Sequence, residues 1–261
     1  MKKIFTCLLA ATVVYSAAWA APFGSALTVN SRDVNDSFAV FITGHTRSTL
    51  KPCGCFGGQL GGLDKRAAVL NEFDADRRFI MDTGDILSGD SRQDMIKLGV
   101  IVQGLNLLNY DLLHLTRKDM EALEGEGLLW GLDSMFSLLS CSESASMDLP
   151  QTFSKKVRVS GADIVLSVAC FDSDSAAAED IPILFGPNQT EKKLNILIMD
   201  IFDAALIDEI AAYGTVDCIV CPDDFDKPME LIPRGAGPLV ISTGHQGKYV
   251  VRLAVALSHQ G

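Results

Sequence analysis

Positive charge is what this sequence is short of. Its 22 Lys and Arg residues stand against 33 Asp and Glu, a formal net charge of −11. Repulsion of that sign opposes binding to nucleic acid or to an anionic membrane, and no basic patch along the chain offsets it. Histidine is scarcer still: only His45, His114, His245 and His259 occur, and residues 115 to 244 contain none. A haem-attachment Cys-x-x-Cys-His is absent, and Gly61, Gly62, Gly235 and Gly237 mark turns rather than a phosphate-cradling loop ahead of a helix. No linker or internal repeat divides the 261 residues, whose 48% hydrophobic content suffices for one large core. A single domain is expected.

What is present begins with a leader. MKKIFTCLLAATVVYSAAWAAPF carries Lys2 and Lys3, then an apolar run, then Ala18-Trp19-Ala20 ahead of Ala21, the layout of a bacterial secretory signal peptide. A membrane anchor would need roughly twenty apolar residues without such a small-residue exit site, and Cys7 stands too early for a lipoprotein site. The expected organisation is a signal peptide over 1–20, a poorly ordered lead-in over 21–36 and a domain over 37–261. The product is expected to be periplasmic or secreted, with no membrane anchor after cleavage.

From residue 38 onward short apolar runs alternate with helical periods. FAVFIT (38 to 43) reads as a buried strand, LDKRAAVLNEF (63 to 73) as a helix, RFIMD (78 to 82) as a strand and DMIKLGVIVQGLNLLN (94 to 109) as an amphipathic helix. YDLLHLT and FSLLS (136 to 140) are strand-like, and VRVSGADIVLSVACF reads as a hairpin. LNILIMD (194 to 200) and VDCIVC (216 to 221) read as strands around the helix AALIDEIAAYG, with LVIST and KYVVRLAVAL as closing strands. Helices between strands imply parallel pairing with crossovers, and consecutive strands imply antiparallel pieces, so a mixed, layered α/β domain follows. The stretch SDSAAAEDIPILFGPNQTEKK (173 to 193) has no clear period and is expected to be a surface loop.

In such sheets the loops beyond the C-terminal strand ends form the binding crevice. The candidates are therefore Gly44, His45, Arg47 and the Cys-Gly-Cys after the first strand, Gly84 and Asp85 after the second, Arg117, Lys118 and Asp119 after YDLLHL, and Pro222, Asp223 and Asp224 after VDCIVC.

These segments carry a resemblance. ITGHTRSTLKPCGC, GGLDKRAAVL, IMDTGDILSGD, LNLLNYDLLHLTRKDM, VDCIVCPDDF and LVISTGHQGKYVVRLAVAL fall in the order of the UshA-like metallophosphoesterases, the periplasmic 5′-nucleotidase group, and residues 38 to 257 resemble their metallophosphoesterase domain. The likeness is strongest to a branch marked by Pro-Cys-Gly-Cys followed by Gly-Gly-Leu-x-[Lys/Arg]-Arg, here Pro52 to Cys55 and Gly61 to Arg66, in which some relatives carry selenocysteine within the Cys-x-Cys pair. The resemblance implies a single-domain α/β/β/α sandwich with mixed sheets. It also implies two divalent metals bridged by an aspartate and ringed by histidine, asparagine and carboxylate ligands. The nucleoside-holding C-terminal domain of such enzymes is not expected in a chain of this length.

The motifs depart from that chemistry. Asp85 matches the bridging aspartate, but His45-Thr46-Arg47 falls on the Asp-x-His motif, Thr116-Arg117-Lys118-Asp119 on Gly-Asn-His-Glu, and Pro222-Asp223-Asp224-Phe225 near Gly-His-x-His. Four histidines cannot complete a two-metal site and arginine stays protonated, so no metal is assigned. A buried Asp85 left alone would be costly or would protonate. Arg47, Arg117 and Lys118 are expected to neutralise it instead, with surplus charge holding an anion such as phosphate; the competing expectation makes Arg117 and Lys118 a solvated helix start. A residual hydrolase would use Asp85, Asp119, His45 and Asp223 with a divalent metal.

Beyond the leader stand Cys53, Cys55, Cys141, Cys170, Cys218 and Cys221, an even set that can pair in too many ways for the sequence to choose. Cys53 and Cys55 could each bridge to a distant cysteine, or cycle between a dithiol and a strained local disulfide across Gly54, or join Cys218 and Cys221 in a thiolate zinc site. Selenocysteine in the resembling branch favours redox chemistry, with one thiolate attacking, the other resolving, Arg47 or Lys51 lowering a thiol pKa, and a periplasmic redox partner. Cys218 and Cys221, in one strand, should point to opposite faces: Cys218 to the core, Cys221 at the strand end to the crevice. His114, in an apolar run, is expected to be a satisfied core or boundary histidine, and His245 a structural turn residue. Three function classes remain: thiol redox, residual phosphoester hydrolysis, and non-catalytic binding of an anion or partner.

Overall fold

The computed structural model describes residues 7–15, 37–52, 60–142, 147–186, 192–221, 227–232 and 237–257. FAVFIT forms strand β2 (Phe38–Thr43), buried at all six positions. Phe38, Val40 and Ile42 enter one core while Ala39 and Phe41 enter another, because successive strand residues point to opposite faces. Strands β3 (Arg78–Asp82), β4 (Leu112–His114) and β5 (Ser137–Leu139) follow in parallel. Helices α1 (Leu63–Leu70), α2 (Arg92–Leu107) and α3 (Arg117–Gly125) make the crossovers. Their apolar stripes, including Val69, Leu98, Ile101, Leu105 and Leu123, cover the Phe41 side of the sheet.

On the other side of β2 lies β12 (Tyr249–Leu257), antiparallel to it, and β1 (Cys7–Tyr15) pairs antiparallel with β12 at the sheet edge. The apolar run of the expected leader thus has strand backbone here, and cleavage after Ala20 would leave β12 as the edge.

The second sheet starts with a hairpin, β6 (Thr152–Val159) and β7 (Ala162–Phe171). Its two turn residues, Ser160 and Gly161, both have positive φ, 47° and 78°, as a turn matching the strand twist requires. Parallel to β7 run β8 (Lys193–Met199), β9 (Cys218–Cys221) and β11 (Leu239–Ser242), with β10 (Glu230–Ile232) antiparallel at the edge. Helices α4 (Ile181–Leu184) and α5 (Ala204–Tyr213) cover its outer face. A dry layer containing Val40, Ile42, Phe79, Val168, Ile196 and Val220 fills the space between the two sheets. The architecture is the expected α/β/β/α sandwich.

Local differences have local causes. The first helix stops at Leu70 rather than Phe73, and the second begins at Arg92 because the Ser91 side chain caps it by accepting from Asp94 N–H. The expected loop at 173–193 contains a 3-10 turn and α4, since Ala178, Ile181 and Phe185, spaced i, i+3, i+7, pack onto the second sheet. The acidic residues between them hide that stripe from a reading of periodicity. The lead-in at 21–36 lies outside the described residues.

Candidate active site

β2 and β3 end side by side, and their loops remain zipped beyond the strands. Thr83 N–H donates to Thr43 O, His45 N–H to Gly84 O, Arg47 N–H to Asp85 O and Ser48 N–H to Ile86 O, at 2.7 to 3.2 Å. Holding this ladder forces His45, Arg47, Ser48 and Asp85 into left-handed backbone, with φ of 49°, 44°, 56° and 53°. Such conformations cost on the order of 1 kcal/mol each in non-glycine residues and persist only where the surroundings enforce them. Gly84 is glycine because a Cβ there would sit 2.7 Å from His114 O.

Much of that enforcement comes from Arg66, in the Gly-Gly-Leu-Asp-Lys-Arg run. Its guanidinium, 3% exposed, lies 3.6 Å from Asp82 Oδ2. It donates to Tyr110 Oη at 3.1 Å and to Thr46 Oγ1 and Gly247 O at 3.4 Å. One buried cation therefore ties α1, the end of β3, the loop after β2 and the turn before β12. A Cβ on Gly247 would approach Arg66 Nη2 to 2.6 Å. His245 sits in that turn, where Lys248 N–H donates to His245 O at 3.3 Å.

Above this network stands Asp85. Its Oδ2 accepts from Arg47 Nε at 2.6 Å and meets His45 Nδ1 at 3.0 Å. Burial alone would raise the carboxyl, but the hydrogen bonds from His45 and Arg47 and the Arg47 charge outweigh it and hold Asp85 below its ordinary value. The other ring nitrogen, His45 Nε2, is buried without a hydrogen-bond partner among the described residues.

Of the three cations expected to neutralise Asp85, only Arg47 pairs with it among the described residues. Arg117 and Lys118 open α3, as the competing expectation had it, and Lys118 Nζ donates to Leu87 O at 2.9 Å. Asp119 is fully buried and belongs to the scaffold. Its two oxygens accept from the N–H groups of Asp85, Ile86 and Thr116 and from Thr116 Oγ1, closing a capping box. Burial pushes its carboxyl up, against the pull of the Thr116 and Ile86 hydrogen bonds.

His45, Arg47, Asp85, Arg117 and Lys118 converge on one cleft of about 710 Å³. The far wall comes from the second sheet: Asp172 and Asp174 after β7 and Asp200 after β8. Ser173 donates to Asp200 through both N–H and Oγ, at 3.0 Å each. The cleft is thus polarised, cationic where α3 begins and acidic opposite. The acidic wall was open to the same strand-end argument that found Asp85, because both segments directly follow apolar runs.

His114 is the satisfied boundary histidine that was expected. It lines the cleft, with Nδ1 2.9 Å from Thr83 O, and burial pushes its imidazole down, outweighing that hydrogen bond and the nearby Asp82. Cys141 lines the cleft too and forms a disulfide with Cys170. Cys218 lies in the core between the sheets, as expected, and burial pushes its thiol up. Cys221, expected to face the crevice, is instead fully buried under the outer helices. The two thiols of one strand thus point apart, and a zinc site of Cys53, Cys55, Cys218 and Cys221 cannot assemble. Cys53, Cys55 and Asp223 lie outside the described residues.

Around Asp85 the described residues offer a metal pair few free ligand atoms. Asp85 Oδ2 is held by two donors, Asp119 Oδ2 by three and Asp119 Oδ1 by the Ile86 N–H, while three cationic side chains line the same cleft.

No family model matches the chain, and no curated protein does. Solved structures do share its fold. The NAD nucleotidase NadN of Haemophilus influenzae superimposes with a TM-score of 0.59 at 15% identity over 85% of this chain and 55% of its own. A 5′-nucleotidase precursor from Thermus thermophilus does so with a TM-score of 0.52 at 15% identity, over 85% of this chain and 54% of its own. The chain spans about half the length of each. The fold is therefore that of a metallophosphoesterase-like domain.

Proposed function

We propose that this chain is a metal-independent, periplasmic protein of the PCGC-containing UshA-like branch, in which thiol–disulfide chemistry at Cys53 and Cys55 replaces phosphoester hydrolysis. One observation carries the reading: His45 Nδ1 is held by Asp85 while Nε2 is buried with no partner among the described residues. In a neutral ring so oriented, Nδ1–H donates to the carboxylate and Nε2 keeps the lone pair that a general base uses to take a thiol proton. Arg47 keeps the orienting carboxylate ionised. The Cys-Gly-Cys run follows a few residues after His45 and Arg47 in the sequence.

In this scheme one thiolate attacks a partner's disulfide, the second resolves the mixed disulfide, and two electrons and two protons pass to the partner as a Cys53–Cys55 bond forms. Arg117, for which no ion pair appears among the described residues, supplies positive charge for an anionic group such as phosphate on that partner. The leader sequence supports export, and no helix among the described residues is long and apolar enough to cross a membrane.

Residual hydrolysis is the alternative that the fold favours. Mass mapping of thiols before and after mild reduction, with elemental analysis and a phosphodiesterase and 5′-nucleotidase assay on the same unreduced sample, separates the two. Expected are a reversibly oxidised Cys53/Cys55 pair, a sub-stoichiometric metal content and no hydrolysis after manganese or zinc is added. Two bound metals per chain with hydrolysis that disappears in Asp85→Asn would establish the hydrolase and end the thiol proposal.

A further inference from the structure

The wall of the cleft away from Asp85 holds a second group of reactive side chains. Cys141 follows β5 in the first sheet and Cys170 lies near the end of β7 in the second, so their disulfide staples the two sheets beside the cleft. A ring nitrogen of His114 and the two Sγ atoms lie within 4.8 Å of one another. His114 Nδ1 sits 2.9 Å from the Thr83 carbonyl, a pure acceptor, so Nδ1 carries the proton and Nε2 the lone pair. A metal-binding histidine is oriented in this same way, by its other N–H on a backbone carbonyl.

The geometry points to a redox-gated zinc site formed by His114, Cys141 and Cys170. As a disulfide the two sulfurs cannot serve as thiolate ligands. An external dithiol opens the bond, supplying two electrons and two protons and leaving as its own disulfide, and the chain gains two thiols. Zinc then displaces the two thiol protons and is held by two thiolates and one imidazole. Tetrahedral zinc with Zn–S near 2.3 Å sets its sulfurs roughly 3.8 Å apart, so the two sulfurs must part once the bond opens, with the His114 ring nitrogen already within 4.8 Å of them. Because Cys141 and His114 border the cleft, the fourth position opens into it. Three protein ligands and an open position is the arrangement of catalytic rather than closed structural zinc. Two thiolates balance the ion's charge and screen it from Arg117, which lines a pocket with Cys141 and Cys170.

The inference rests on the fold and this cluster, not on the roles assigned to Cys53 and Cys55. Cobalt(II) serves as the probe, added to the full chain before and after reduction with a phosphine that does not bind metal. The reduced chain is expected to take up one cobalt with the thiolate charge-transfer and tetrahedral d–d absorption that the oxidised chain lacks. Binding should vanish in Cys141→Ser and in Cys170→Ser, weaken roughly tenfold or more in His114→Gln, and survive in Cys53→Ser/Cys55→Ser. In the unmutated chain, bound cobalt should protect Cys141 and Cys170 from alkylation, a readout that does not depend on a variant folding. Absence of the cobalt spectrum in the reduced chain, equal alkylation with and without the ion, or loss of the signal only in Cys53→Ser/Cys55→Ser would each overturn the site. The last result would still leave the thiols of the Cys-Gly-Cys loop chemically active.

Discussion

Two Asp–Arg pairs, whose aspartates stand three residues apart at the end of β3 and in the turn after it, do different work. Asp82 and Arg66 are almost wholly enclosed, at 0% and 3% exposure, and they bond the Thr43 and Thr46 hydroxyls, the Tyr110 phenol and the backbone of Gly84 and Gly247. Asp85 and Arg47 are 21% and 32% exposed, and they meet at the cleft beside a histidine whose second nitrogen has no partner among the described residues. The enclosed pair sets the shape of the loops, and the open pair sets the charge and ring orientation within them. A carboxylate whose oxygens are consumed by scaffold bonds can hold a site together without taking part in its chemistry, as Asp119 also shows.

The sharpest way to break this contrast is Arg66→Ala. Removing one member of an enclosed pair strands Asp82 in the interior, and about 3–5 kcal/mol of unfolding free energy should be lost in urea denaturation. A loss under about 1 kcal/mol would show that Arg66 does not clamp the loops.

Somewhat less should follow from opening the Cys141–Cys170 bond. It closes a loop with a sequence separation of 29, for which chain entropy gives about 3.5 kcal/mol. Cys141→Ser/Cys170→Ser, compared with the parent under oxidising and then reducing conditions, should match the reduced parent rather than the oxidised one.

The open pair should appear in acid. Because the folded Asp85 carboxyl lies below its ordinary value of 3.8, its contribution is fully present above that value and is lost as pH falls through the lower folded value. Urea midpoints measured from about pH 5 downward should therefore fall less steeply in Asp85→Asn than in the parent. An unchanged acid limb would mean that the Arg47 and His45 contacts do not persist in solution. Smallest of all, Arg47→Ala should cost about 1 kcal/mol or less, since solvent screens a partly exposed pair. Its larger consequence should be a shifted pH profile for alkylation of the Cys53 and Cys55 thiols.

Strands announced themselves in the sequence wherever both faces are covered, because FAVFIT, RFIMD and LNILIM are apolar at nearly every position. Helix α3 was read only as a competing possibility, since RKDMEALEG is mostly polar and its stop and start signals are a cap rather than a stripe. His45, Arg47 and Asp85 could be placed together from the rule that strand ends converge. His114 could not, because the apolar run around it hides that its ring turns toward Thr83 O and the cleft. Nor could Cys141 and Cys170 be paired, as each ends or follows a strand in a different sheet.

By itself the sequence determined the layered class, the strand cores and the shortage of histidine, all of which depend on local pattern or on counting. The tertiary structure alone decided which carboxylates are scaffold and which face the cleft. It also decided which cation holds Asp85 and which thiols meet. Those outcomes depend on how two sheets stack and how far donors reach across them, distances that no spacing along the chain encodes.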